Sequence, residues 1–243
     1  MAISDPGNGN EPFHRVLEAA AVIFAEEGFA GARVDSIAER AGVNKAMVYY
    51  HVGDKACLYE TVFSDALDHA RTALETSFQE AKTPEERVRA FIATVTRVAR
   101  EHPHLPMLVL REFAGGGKGL SEVVLRKIGG VFRFVKQALE DGLADATFRP
   151  VNPLVTHLVI AGSVMFLTAS HPIMKRVAEL EGIPSPAQPP EDLCGTLSDL
   201  LLEGLRPPCS GPSFEKLRRA GQRTGRDAKS APGTRKDQYK EMP

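Results

Sequence analysis

The sequence predicts an all-α fold. Apolar residues recur at helical spacing from residue 13 to residue 205, strand-period alternation is absent, and helix caps alternate with Gly or Pro stops. The composition, 43% hydrophobic and 25% charged over 243 residues, is that of a globular chain able to bury one large core or two small ones.

Residues 1–10 are rich in Gly, Asn and Asp and read as a frayed arm. From Glu11, the residues Phe13, Val16, Leu17, Ala20, Ile23 and Phe24 form one helical stripe, which Gly28 ends. A short helix over 34–41 follows, with Ile37 and Ala38 inward. Gly42-Val43 turns the chain, and Asn44 caps a second short helix over 45–51. Gly53-Asp54 stops that helix and starts a long one over 55–81, with Leu58, Val62, Ala66, Ala70, Leu74 and Phe78 as its stripe. Thr83-Pro84-Glu85-Glu86 is a capping box with proline at the first helical position, and that helix stops before Pro103. Further helices are predicted over 105–114, over 120–143, from Asn152-Pro153 to Ser170 before Pro172, and over 191–205. Loops are predicted at 115–117 and 184–190.

Beyond Arg206-Pro207-Pro208 the chain is rich in Gly, Pro, Ser, Lys and Arg, and residues 206–243 read as a disordered tail. That tail holds ten basic against four acidic residues, which leaves 20 basic against 27 acidic residues in 1–205. The body is therefore no general polyanion binder. If it grips a nucleic acid, positive charge must be focused on one face and shape must help.

The informative stretch is 33–55. Two short helices joined by a glycine turn make a helix-turn-helix, in which Ala38 and Ala41 allow the second helix to cross closely and Val43 plugs the corner. A second helix held out this way fits a DNA major groove. The ordered set Ile37-Ala38, Ala41-Gly42-Val43, Asn44-Lys45, Val48-Tyr49-Tyr50-His51-Val52, Lys55, Leu58-Tyr59 resembles the bacterial tetracycline-repressor (TetR) family of transcription regulators over residues 13–60. Arg33 stands where that family often has a Ser or Thr cap, and Val52 where it has an aromatic residue.

The resemblance implies a homodimer that binds a palindromic operator in double-stranded DNA and is released by a small molecule. The division it implies is a DNA-binding domain over 11–56 and a ligand-binding and dimerisation domain over 57–205. By the same token Asn44, Lys45, Ala46 and Met47 should meet base edges. Lys45 suits guanine and Met47 a thymine methyl. Tyr49 and His51 should donate to phosphates, Lys55 should neutralise one at the next helix start, Arg33 can reach one, and Tyr50 can serve either role. Plain alternatives stand beside these: core packing for Tyr49, helix capping for His51, a solvated charge for Arg33.

The helices near 154–170, with Gly162 and Ser163 for close approach, and 191–205, with Leu193, Leu197, Leu200 and Leu201, are the expected dimer bundle; completing the monomer core is their other use. An effector pocket is expected among the middle helices, lined by Phe91, Val95, Met107, Leu108, Phe113, Val131, Phe134, Val135 and Phe166, each of which would also serve as core. Their apolar character points to a hydrophobic effector.

Other classes find little support. Cys57, Cys194 and Cys209 have neither zinc nor redox spacing, and His102 and His104 flank Pro103 as a polar helix start, so neither metal nor cofactor is expected. No P-loop, Rossmann glycine pattern or nucleophile elbow marks an enzyme. The longest apolar run, 158–169, is too short for a span and the N-terminus has no signal-peptide pattern, so no membrane role and a cytoplasmic location are expected. The alternative function is an effector-independent DNA-binding repressor or architectural protein, which a core without a cavity would favour.

Overall fold

The structure is a computed structural model that describes residues 11–183 and 189–208. The expected N-terminal arm, residues 184–188 of the expected loop, and the tail from 209 lie outside the described residues. Within them are nine helices and no strand: α1 (Glu11–Gly31), α2 (Val34–Ala41), α3 (Lys45–Val52), α4 (Lys55–Glu80), α5 (Pro84–Glu101), α6 (Leu105–Ala114), α7 (Glu122–Ala144), α8 (Pro153–Glu181) and α9 (Pro189–Leu205).

The caps act where the sequence placed them. Asn44 Oδ1 accepts from the Met47 amide at 2.8 Å and Asp54 Oδ1 from the Cys57 amide at 2.8 Å. Thr83 and Glu86 form the reciprocal capping box, and Asn152 caps α8 through the Leu154 and Val155 amides. Arg33 sits at the N-cap of α2 without a side-chain cap bond. Gly28, expected to end α1, instead kinks it: its backbone, at φ 74° and ψ 172°, is one that glycine adopts readily, and the helix resumes to Gly31.

One apolar cluster runs from α1 through α9. Phe24, Ile37, Leu58 and Leu74 join Phe91, Leu108, Val135, Ile160 and Leu202 in it. The long helix α4 is central: it packs on α1 at one end and on α5 and α7 along its length. The small α2–α3 unit rests on α1, with α3 also touching α4.

Two expectations about α8 are corrected. The helix does not stop at Ser170; it continues through Pro172 to Glu181, 29 residues in all. Proline removes one amide donor, but this end of the helix is exposed, so water can satisfy the freed carbonyl. The true stop is Gly182, left-handed at φ 64°, with the Ile183 amide bonded back to the Ala178 carbonyl. The longer helix is also long and apolar enough to cross a membrane, by length and composition alone. Gly162, Ser163 and Thr168 dilute the apolar run without ending it. One face of α8, with Thr156, His157, Ile160 and Val164, is buried against α5, α6, α7 and α9. The opposite face exposes Val155, Val159, Phe166, Ile173 and Met174.

Candidate nucleic-acid interface and ligand cavity

Helices α2 and α3 are joined by a left-handed Gly42 at φ 65°, and the Val43 amide returns to the Ala38 carbonyl at 3.0 Å. A side chain at Gly42 would be strained in that conformation. Ile37, Ala38, Ala41 and Val48 are buried in the crossing. The outer face of α3 is therefore left to solvent: Asn44, Lys45, Ala46, Tyr49 and Tyr50 are exposed and Met47 half-buried. Tyr49, for which core packing was the alternative, is 45% exposed, and Tyr50 is 83% exposed. Arg33 is exposed beside this face.

Lys45 and Asp35 form an ion pair between α3 and α2 at 2.9 Å. Their hydrogen bond holds the Asp35 carboxyl below the usual carboxylate range and raises the Lys45 ammonium. The pair fixes where the Lys45 ammonium stands, next to the open face of α3.

Two of the nine expected contact residues point inward. Lys55 Nζ donates to the Ala32 carbonyl at 3.0 Å and lies 4.7 Å above the centre of the Phe29 ring, so it ties α4 to the α1–α2 junction. The start of α4 also carries the Asp54 carboxylate as its cap, a poor setting for a phosphate. His51 is half-buried against Phe13, and its Nε2 is buried without a hydrogen-bond partner.

In the body, a cavity of about 360 Å³ lies among α4, α5, α6, α7 and α8. That is at the lower end of the range of small-molecule sites. Of the nine expected lining residues, Val95, Phe113 and Val131 line it. Phe91 and Val135 are sealed in the core, Leu108 borders a different groove, and Phe134 packs edge-on to Phe78 at 5.1 Å. Met107 and Phe166 are exposed.

The cavity's polar groups are two residues that the apolar reading missed. Glu112 accepts from the Tyr59 hydroxyl at 2.6 Å and from the Gly119 amide at 3.1 Å. His157 lies between the Phe91 and Phe132 rings, at 5.7 and 5.6 Å, and its Nδ1 is buried without a partner. Burial holds the His157 imidazole below its ordinary pKa, so it is neutral at pH 7. Their signal was present in the sequence: each interrupts an otherwise apolar helix stripe. Phe63 and Phe132 complete the wall. The mouth is rimmed by exposed Phe113, Leu125, Leu154 and Leu158.

Among the described residues the chain is all-helical, with a helix-turn-helix at one end and an apolar cavity in its body. Residues 16–62 match the family described as bacterial regulatory proteins, tetR family. The match spans most of α1, all of α2 and α3, and the start of α4. The chain is 27% identical over 203 residues to the HTH-type transcriptional repressor NicS of Pseudomonas putida, covering 79% of this chain and 91% of NicS. Among solved structures it resembles the ketosteroid transcriptional regulator KstR2 of Mycobacterium tuberculosis, with a TM-score of 0.65 and 16% identity over 85% of this chain and all of that one. It also resembles FadR of Bacillus subtilis in complex with stearoyl-CoA, with a TM-score of 0.63 and 16% identity over 80% of this chain and all of FadR. At those identities the structural likeness establishes the fold.

Proposed function

We propose that the chain is a homodimeric repressor that binds a palindromic operator and leaves it when a largely apolar small molecule with one hydrogen-bonding head group fills the body cavity. The observation that carries the reading is the cavity itself: an apolar chamber with one buried, unpartnered nitrogen, His157 Nδ1, on its wall. A buried polar atom without a partner is costly, and a ligand head group would remove that cost. FadR, of the same fold, was solved with stearoyl-CoA, a ligand with a long apolar chain. The cavity also argues against the effector-independent alternative.

In this reading residues 11–56 form the DNA-binding domain and 57–205 the ligand-binding and dimerisation domain. Asn44, Lys45, Ala46, Met47 and Tyr50 meet bases, while Arg33 and Tyr49 meet phosphates. His51 and Lys55 hold α3 and α4 in place from behind. Two recognition helices read a palindrome when they stand about 34–36 Å apart. The exposed apolar face of α8, with α9 beside it, supplies the dimer contact. Such a protein works in the cytoplasm, where its operator is.

The test is selection from random duplex DNA, followed by release of the selected duplex with a panel of apolar acids, alcohols and ketones. The reading requires a palindrome and at least one compound that releases wild type but not His157→Leu. Failure to enrich any palindrome sinks the operator claim. Enrichment of one that no apolar compound releases sinks the effector claim alone.

A further inference from the structure

A second cluster of chemistry lies on α4, away from the cavity. Asp65 and His69 are four residues apart and so project from one face of the helix. His102, at the C-cap of α5, meets them there. His69 Nδ1 stands 3.2 Å from His102 Nε2, and Asp65 Oδ2 stands 3.9 Å from Nδ1 of each histidine. One donor atom from each of the three residues lies within 4.8 Å of the other two.

We propose that Asp65, His69 and His102 bind a divalent transition-metal ion of the zinc class. Two nitrogens bound to a tetrahedral zinc at about 2.0–2.1 Å stand about 3.3 Å apart, close to the separation of these imidazoles. Asp65 Oδ2, at 3.9 Å from the same His69 Nδ1 that faces His102 Nε2, is too far to hydrogen-bond that ring but is on the side where a shared ion would need its third ligand. Two imidazoles and a carboxylate form a three-ligand set that leaves the fourth position to water.

The surroundings give access and consequence. Asp65 and His102 border a groove of about 320 Å³ together with His14 and Glu18 of α1 and His104, so an ion can enter from water. His104, the neighbour that sequence spacing pairs with His102, borders the groove instead of joining the three. An ion here would strap α4 to the α5–α6 turn, beside α1. Both α1 and α4 support the helix-turn-helix, so the strap would stiffen the base on which the recognition helix sits.

Without a metal, the same geometry is an imidazole–imidazole hydrogen bond beside a carboxylate, and the two readings separate in solution. Full-length protein without a histidine tag is stripped with chelator and titrated with Zn²⁺ against a chelating dye. Co²⁺ is then added to detect the visible absorption of a low-symmetry, four-coordinate ion. The expected result is one ion per chain, with affinity falling about tenfold or more in His69→Ala and in Asp65→Asn. His171→Ala, on α8, should bind as wild type does. Circular dichroism of the stripped variants checks that each is folded, and the Co²⁺ spectrum of wild type needs no variant. Absence of stoichiometric binding, or wild-type affinity in both ligand variants, overturns the site. DNA is not involved, so failure here leaves the operator reading untouched.

Discussion

The Tyr59 hydroxyl donates to the Glu112 carboxylate at 2.6 Å, a bond that joins α4 to α6 across 53 residues of sequence, with both side chains buried. Burial first, and Glu112 second, push the Tyr59 phenol well above its ordinary pKa, so it remains a donor. Its ring meets Phe24, Phe29 and Phe63 at 4.8, 5.1 and 5.2 Å. Phe63 and Glu112 line the cavity, and Phe29 carries the Lys55 ammonium. A single side chain thus touches both the cavity wall and the base of the helix-turn-helix. A ligand that displaced Glu112 would move the packing on which α4 and α1 depend.

Tyr59→Phe keeps the ring contacts and removes the donor. Glu112 retains the Gly119 amide but loses its shorter partner. The expected cost is about 1–3 kcal/mol in urea unfolding, the usual range for a buried acceptor left short of a donor. An unchanged free energy of unfolding would mean that the bond is not formed in solution.

Tyr50→Ala should leave stability within about 0.5 kcal/mol of wild type, because almost nothing of the side chain is buried. On the selected operator it should lose about tenfold or more in affinity, as for one good base contact. Asp35 gives a sign test of the same face. Lys45→Ala removes a cation and uncovers a carboxylate, whereas Asp35→Ala frees the cation. Anisotropy titrations should show the first variant weakened and the second equal to or tighter than wild type. The reverse order would remove Lys45 from the interface.

The helix-turn-helix was readable because its signals are local. Gly42 needs a left-handed turn, Asn44 and Asp54 cap, and small residues stand where helices cross. Most helix boundaries followed for the same reason; the exceptions are α8, expected to stop before Pro172 but ended by Gly182, α9, which starts at Pro189 inside the expected loop, and α1, which runs past Gly28 to Gly31. The cavity was less legible. Apolar periodicity marks which face of a helix is inward, but not which inward residues meet each other and which meet a void. Phe91 and Val95 are one turn apart on α5, yet the first is sealed in the core and the second lines the chamber. The partnership of His69 with His102 spans 33 residues and no spacing rule reaches it.

Lys55 separates a local reading from a tertiary one. As a phosphate contact, its removal would lower the slope of log affinity against log salt by about one. As a tie between the Ala32 carbonyl and the Phe29 ring, its removal instead costs stability, about 1–2 kcal/mol, and leaves the salt slope unchanged. The geometry calls for the second outcome in Lys55→Ala. A reduced slope with unaltered stability would restore the phosphate role.

The outer face of α8 is tested by charge. Val159→Glu and Phe166→Glu place a carboxylate on an exposed apolar surface that contributes little to the monomer core. Light scattering should report a dimer for wild type and monomers for both variants, with thermal unfolding of the monomer retained. A wild-type monomer at micromolar concentration, or a dimer unaffected by either charge, would exclude this face as the interface. Binding of the wild type to lipid vesicles, lost in both variants, would assign the face to a membrane instead.

The neutral imidazole of His157 makes stability depend on pH with a defined sign. Its folded pKa lies below the ordinary value of about 6.5 because burial penalises the charged ring. Between the two values the unfolded chain binds the extra proton, so stability rises with pH through that window and falls as pH drops below about 6.5. The slope contributed by one proton is at most about 1.4 kcal/mol per pH unit. His102 is shifted downward too and adds the same sign in both proteins. The informative quantity is therefore the difference between wild type and His157→Leu, followed by urea unfolding from pH 7.5 to 5. The variant should show a shallower loss of stability across that range, while above pH 7 the two profiles run parallel. Equal slopes throughout would mean that His157 titrates as freely in the folded protein as in the unfolded chain. Its ring would then be open to water, and the cavity would lack the buried nitrogen on which the effector reading depends.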